Sequence, residues 1–146
     1  MGSYEQVKKF MKTHPGTIAF RLKEHCNILD KHLNPDETIK YVFAGQKNNS
    51  SISTPNTFVI ALTDKRLLFA RKRLMFGYFF YAITPDMFND LKVNSGIIWG
   101  KIIIDTVKEL AIISNIAKDA LSEIETSITQ HMAEEKKKYF SKKDLN

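Results

Sequence analysis

Few residues in this chain could do chemistry. Nucleophilic catalysis needs a nucleophile, a base in reach, and a third group that orients the base. The single cysteine, Cys26, stands beside His25, and the other histidines are His14, His32 and His131. Neighbouring residues on a helix point about 100° apart, so this spacing predicts a buried Cys26 in a helical stripe beside a surface His25. No two histidines lie four apart, and His25 and His32 have no carboxylate at ligand spacing between them, so no metal site is expected. Gly96 to Lys101 holds three residues between its glycines where a phosphate loop holds four, and Ile102 follows the lysine where Ser or Thr is required. That segment reads as a strand in which Trp99 packs. No catalytic residue and no cofactor are expected, and the chain reads as a non-enzyme.

Binding chemistry is better represented. Arg71-Lys72-Arg73 runs directly into Leu74-Met75-Phe76. A basic rim with apolar loop residues suits an anionic membrane, where each basic residue contributes about 1 kcal/mol near the surface. The plainer alternative is a solvated hairpin whose Leu74 and Phe76 fold inward. Basic residues interleaved with aromatics also serve nucleic acid. Here the aromatics Phe69 and Tyr78 to Tyr81 read as core, and nucleic acid is not the expected partner.

Charge adds little direction. The 146 residues carry 22 Lys+Arg against 16 Asp+Glu, a net +6 with no overwhelmingly basic segment, so attraction to anions is permitted but not required. Apolar residues make up 43% of the chain, enough for a real core. The longest uncharged apolar stretch, residues 74–85, is too short to span a bilayer. A lone cysteine and an N-terminus without an apolar leader predict a cytoplasmic module, at most peripheral at the inner face of the membrane.

The elements that would position these residues fall into three zones. Residues 3–33 read as two helices. Val7, Phe10 and Met11 share a face of the first, His14-Pro15-Gly16 stops it, and Ile18, Leu22, Cys26, Leu29 and Leu33 stripe the second. From Thr38 the period becomes two, and seven strand-like segments follow, including 39–44, 58–62, 67–70, 78–83, 91–93, 97–104 and 110–113. Gln46 to Asn56 is a polar loop, and Pro85 to Phe88 is read as one helical turn. Ser114 or Asn115 is the expected N-cap of a last helix. Its stripe Ile116, Ala120, Ile124, Ile128 and Met132 should be buried, with fraying beyond Met132.

Seven strands followed by one amphipathic helix is the order of the pleckstrin-homology (PH) barrel, and particular residues carry the likeness further. The turn Leu33-Asn34-Pro35-Asp36-Glu37 resembles the opening turn of the bacterial PH-domain family. Leu62-Thr63-Asp64-Lys65-Arg66-Leu67-Leu68-Phe69 is similar to that family's hairpin motif. Ile83 to Val93 and Gly96 to Ile102 resemble its interrupted strand pair and its glycine-led strand. The resemblance covers roughly residues 33–132. It implies a seven-stranded barrel, or two nearly orthogonal antiparallel sheets, capped at one open end by residues 116–132; the N-terminal helical pair, which precedes the barrel, lies outside the resemblance. The expected division is a helical segment over 1–33 and a PH-like domain over 34–146, with the pair packed on the barrel through Leu22, Cys26 and Leu29.

In such a barrel the loops after strands one and three share an end. Lys47, Arg71, Lys72 and Arg73 are therefore the candidate ligand-binding residues, with Lys65 and Arg66 at the opposite end. The basic pattern of phosphoinositide-binding PH domains is missing around 46–56, so stereospecific headgroup recognition is not expected. The resemblance implies a binding module acting on a protein partner or on itself. The alternative is weak peripheral attachment to anionic lipid through the basic loop.

Overall fold

Period-two alternation of apolar residues builds the centre of the molecule. The computed structural model describes residues 2–47 and 55–144. The polar loop expected over 46–56 therefore lies partly outside the described residues. Seven antiparallel strands, β1 (Ile39–Lys47), β2 (Thr57–Thr63), β3 (Leu67–Lys72), β4 (Tyr78–Ile83), β5 (Phe88–Ser95), β6 (Gly100–Thr106) and β7 (Leu110–Ile116), follow helices α1 (Ser3–Thr13) and α2 (Leu22–Lys31) and precede α3 (Leu121–Asp144). They form one sheet in the order β4-β3-β2-β1-β7-β6-β5.

The middle of that sheet is narrow. β1 pairs with β2 along its length but with β7 only at Gln46↔Ser114 and Lys47↔Ile113. A side chain at Gly45 would put its Cβ 2.6 Å from Ile113 Cγ2 and 2.9 Å from the Ser114 carbonyl oxygen, so glycine is what lets the two strands meet there. Below Gln46 the strands part. Phe10 of α1 fills the gap, its ring 6.3 Å from those of both Tyr41 and Phe43. One apolar layer accordingly holds Phe10 together with Phe43, Ile60, Phe69, Ile104 and Ile113, and α3 closes it through Leu121, Ile124, Ile128 and Met132.

The opposite face of β1–β3 is covered as expected. Cys26 and Leu29 are fully buried against Val42, Val59, Ala61, Leu68 and Ala70, with Leu22 packed beside them. Between the helices and the sheet, residues 14–21 cross the ends of four strands. The Ile18 N–H donates to the Asn115 carbonyl at 2.9 Å, Gln46 Nε2 to the Ile18 carbonyl at 2.8 Å, and the Phe20 N–H to Thr57 Oγ1 at 3.2 Å. Gln46 is buried, and its amide is satisfied because this crossing segment supplies the acceptor. Ile18 therefore belongs to the crossing rather than to the helix stripe.

Other boundaries differ as well. β7 runs on to Ile116 through Asn115, whose φ of 60° is a left-handed conformation that Asn tolerates, so neither Ser114 nor Asn115 caps α3. Ile116 still reaches the core, but from the end of β7 rather than from the helix. Ile97 and Ile98 are not strand. The Gly96 N–H donates to the Trp99 carbonyl at 2.9 Å, and the two isoleucines stand on that turn 95% and 67% exposed. Trp99 does pack, donating its indole N–H to the Gly16 carbonyl at 2.9 Å. Past Met132 the helix continues to Asp144, with Lys136 Nζ bonded to the Phe88 carbonyl at 2.8 Å and Lys138 paired with Glu135 at 3.2 Å.

Candidate functional site

The two sequence motifs that resemble the family turn out to hold each other. The Arg66 guanidinium grips Glu37 with Nε and one NH2, each at 2.9 Å, and the same group reaches the His32 carbonyl. Thr63 Oγ1 donates to Glu37 at 2.6 Å and the Asn34 N–H at 3.1 Å, while Lys65 pairs with Asp36 at 2.8 Å on the surface. The Glu37 carboxylate has no exposed surface. Burial alone would push its pKa up, but the Arg66, Thr63 and Asn34 hydrogen bonds outweigh burial and hold it below the ordinary carboxylate range. These residues lock the β2–β3 turn to the start of β1. Their work is structural.

The expected cations do share the other end of the strands. Lys47 closes β1, Arg71 and Lys72 end β3, and Arg73 opens the β3–β4 loop. They do not converge. Arg71 is half-buried and donates to the Thr57 carbonyl at 3.0 Å and the Pro55 carbonyl at 3.5 Å. The Lys47 ammonium lies 5.1 Å from the Tyr81 ring centre and 5.7 Å from that of Phe58, a cation–π placement at the mouth of the barrel. Lys72 Nζ donates to the Gly77 carbonyl at 3.2 Å. Arg73 is exposed over Phe79, 5.5 Å from its ring.

Of the two arrangements open to the hairpin that carries Arg73, its apolar residues folded inward or presented on the rim, the structure shows the second. The Arg73 N–H donates to the Gly77 carbonyl at 3.1 Å, and Gly77 takes φ 77°, so glycine is required to close the loop. Leu74, Met75 and Phe76 stand on the tip with 77%, 75% and 79% of their surface exposed. They lie in the loop between the end of β3 at Lys72 and the start of β4 at Tyr78, and no described residue buries them. Beside them a groove of about 360 Å³ is lined by Asn56, Arg71, Arg73, Leu74, Phe76 and Phe79. Phe79 was read as core and is half-exposed. The RKRLMFG run, basic then apolar then glycine, was the only sequence signal for this arrangement.

Behind the hairpin sits a residue that helix spacing misread. His25 is fully buried, because α2 is packed on one side against β3 and on another against α1, which buries neighbouring positions together. Its Nδ1 accepts the Lys72 N–H at 2.9 Å, and Arg21, at φ 55°, reaches the Lys72 carbonyl at 3.2 Å. Cys26 is buried as expected, and burial pushes its thiol up to about 11, too high for a nucleophile at neutral pH. Burial first, then the Arg71 and Arg21 cations, lowers the His25 pKa from 6.5 to about 4. The unfolded chain therefore takes up this proton before the folded one does. The stabilisation is complete above pH 6.5 and is lost progressively down to about pH 4, about 3 kcal/mol in all. Urea unfolding across that window should show the loss in the wild type and its absence in His25→Gln. A difference between the two proteins that does not change with pH would contradict this placement.

No group of three or more His, Cys, Asp or Glu among the described residues could hold a metal ion. No helix among them is long and apolar enough to cross a membrane.

Comparison with known proteins bears on the scaffold. Residues 33–130 match the family described as the bacterial PH domain, and this span holds all seven strands and the first turns of α3. No curated protein matches the chain. Among solved structures, the chain is similar to a pleckstrin homology domain from Shewanella amazonensis SB2B, with 13% identity and a TM-score of 0.46 over 87% of this chain and 98% of that one. With its family model matched over more than half its length, the chain belongs to the bacterial PH domain family.

Proposed function

We propose that this domain attaches peripherally to anionic membrane surfaces through the β3–β4 hairpin, Leu74, Met75 and Phe76 entering the headgroup region while Arg73, Lys72 and Lys47 face acidic lipid. PH domains are binding modules, so the question is which surface this one meets. The observation that carries the reading is the hairpin tip: three consecutive large apolar side chains, each about three-quarters exposed, beside a cation with no carboxylate partner among the described residues. A contiguous exposed apolar patch rimmed by charge is the mark of an interaction site. Full burial of such side chains is worth about 1.5–3 kcal/mol each, and nearby basic residues add about 1 kcal/mol each. This favours lipid over the protein partner expected from the family likeness alone.

Because Arg71 is held by backbone carbonyls and Lys47 by rings, the described residues of this end form no converging cradle for several phosphates. Binding is therefore expected to be insensitive to headgroup stereochemistry. Co-sedimentation with phosphatidylglycerol vesicles tests it. The wild type should bind at low salt and several-fold more weakly at physiological salt, where screening acts over about 8 Å. Phe76→Asp, on a side chain the fold does not bury, should weaken binding at least about tenfold, or about 1.4 kcal/mol. No wild-type binding at low salt, or undiminished binding by Phe76→Asp, overturns the proposal.

A further inference from the structure

A second concavity lies at the other end of β1, where α1 crosses the strand. It measures about 400 Å³ and is formed by α1, by residues 40–42 of β1, and by Glu123 of α3. From Lys47 it is six residues back along the strand, or about 20 Å. The apolar wall is aromatic: Phe10 meets Tyr41 edge to face, at 83° and 6.3 Å. The single carboxylate at the groove is already engaged. Glu123 Oε2 accepts hydrogen bonds from both the Tyr41 hydroxyl and His14 Nε2, each at 2.9 Å. Burial first, then the bond to Glu123, pushes the Tyr41 phenol above its ordinary pKa, so it stays a neutral donor.

The remaining charges are of one sign. Lys9 and Lys40 both line the groove, one from the helix and one from the strand, and both are exposed. Neither ammonium has an ion pair or hydrogen bond among the described residues, whereas Lys8, a neighbour on α1, is paired with Glu5 at 3.1 Å. An aromatic wall between two unpaired cations complements a flat ligand with a negative end. The volume falls at the small end of the range for ligand pockets.

We propose that this groove binds a small aromatic anion, its ring against Phe10 and Tyr41 and its carboxylate or phosphate between Lys9 and Lys40. The site is separate from the β3–β4 hairpin and does not depend on the membrane reading. The probe is 2-naphthoate, titrated into the full chain and followed by the backbone amide resonances, with neutral 2-naphthamide and inorganic phosphate as the other arms. Saturable shifts are expected at residues 9–14, 40–42 and 123. Affinity should fall roughly tenfold for naphthamide and for the double variant Lys9→Gln/Lys40→Gln, whose exposed positions leave the fold intact. Phosphate alone should bind more weakly than naphthoate. The proposal is overturned by the absence of saturable shifts at millimolar probe. It is equally overturned by shifts centred on residues 73–79, or by equal affinity in the double variant.

Discussion

Arg66→Ala should lower the free energy of unfolding by about 3–5 kcal/mol, the range found when one partner of a buried ion pair is removed. The reason is what remains. Glu37 has no exposed surface, and without the guanidinium the donors it keeps among the described residues are the Thr63 hydroxyl and the Asn34 N–H. Burial would then dominate, and the carboxyl would take up a proton more readily than in the unfolded chain. The pH dependence should accordingly reverse. In the wild type, whose Glu37 pKa is held below its unfolded value, this group's stabilisation is present above the unfolded carboxylate range and is lost as pH falls through the folded pKa. In Arg66→Ala the same group should destabilise most at neutral pH and recover on acidification. Glu37→Gln combined with Arg66→Met should cost less than Arg66→Ala, since no buried charge is left alone. Urea unfolding at two pH values checks all three statements, and a cost below 1 kcal/mol for Arg66→Ala would contradict the account of the paired motifs.

Phe10→Ala is expected to cost about 3–5 kcal/mol, as for other buried aromatics. The residue belongs to α1, yet its ring lies in the same apolar layer as Phe43 and Ile124, in the gap that opens where β1 leaves β7. Removing it leaves a void bordered by strands that cannot close, because the β1–β7 pairing is fixed at Gln46 and Lys47. Lys8→Ala, on the exposed side of the same helix, serves as the control and should change stability by less than about 0.5 kcal/mol. If Phe10→Ala behaved like Lys8→Ala, residues 1–33 would be an appendage rather than part of the core.

Much of the scaffold was legible because its physics is local. Alternation over Phe58 to Leu62 and the Thr63–Arg66 turn required only neighbouring residues, and Ile124, Ile128 and Met132 fell on one helix face. The misreadings came from interactions that propensity and spacing do not carry, one of them a local turn and the others made with partners distant in sequence. Ile97 and Ile98 have strand propensity, but the hydrogen bond from Gly96 to Trp99 turns the chain there. Ile18 has helix spacing but pairs with Asn115. His25 should face solvent by its phase, yet two packed neighbours bury it and β3 supplies its hydrogen bond. At the candidate site, the sequence identified the four cations and the end they share. It did not indicate that Arg71 is engaged by the Thr57 and Pro55 carbonyls, which depends on where β2 begins beside β3, or that the tip residues are exposed, which depends on where β3 and β4 end.

The central claim is that the β3–β4 tip is the surface that meets lipid, and amide line-broadening by membrane-bound gadolinium tests it residue by residue. The full chain would be bound to nanodiscs containing phosphatidylglycerol and a gadolinium-chelating lipid. The account predicts the strongest broadening at residues 73–77, weaker broadening at Lys47 and Lys72, and none at residues 9–14 or 40–42. Broadening centred on Ile97 and Ile98 or on α3, or no broadening at residues 73–77, would contradict it.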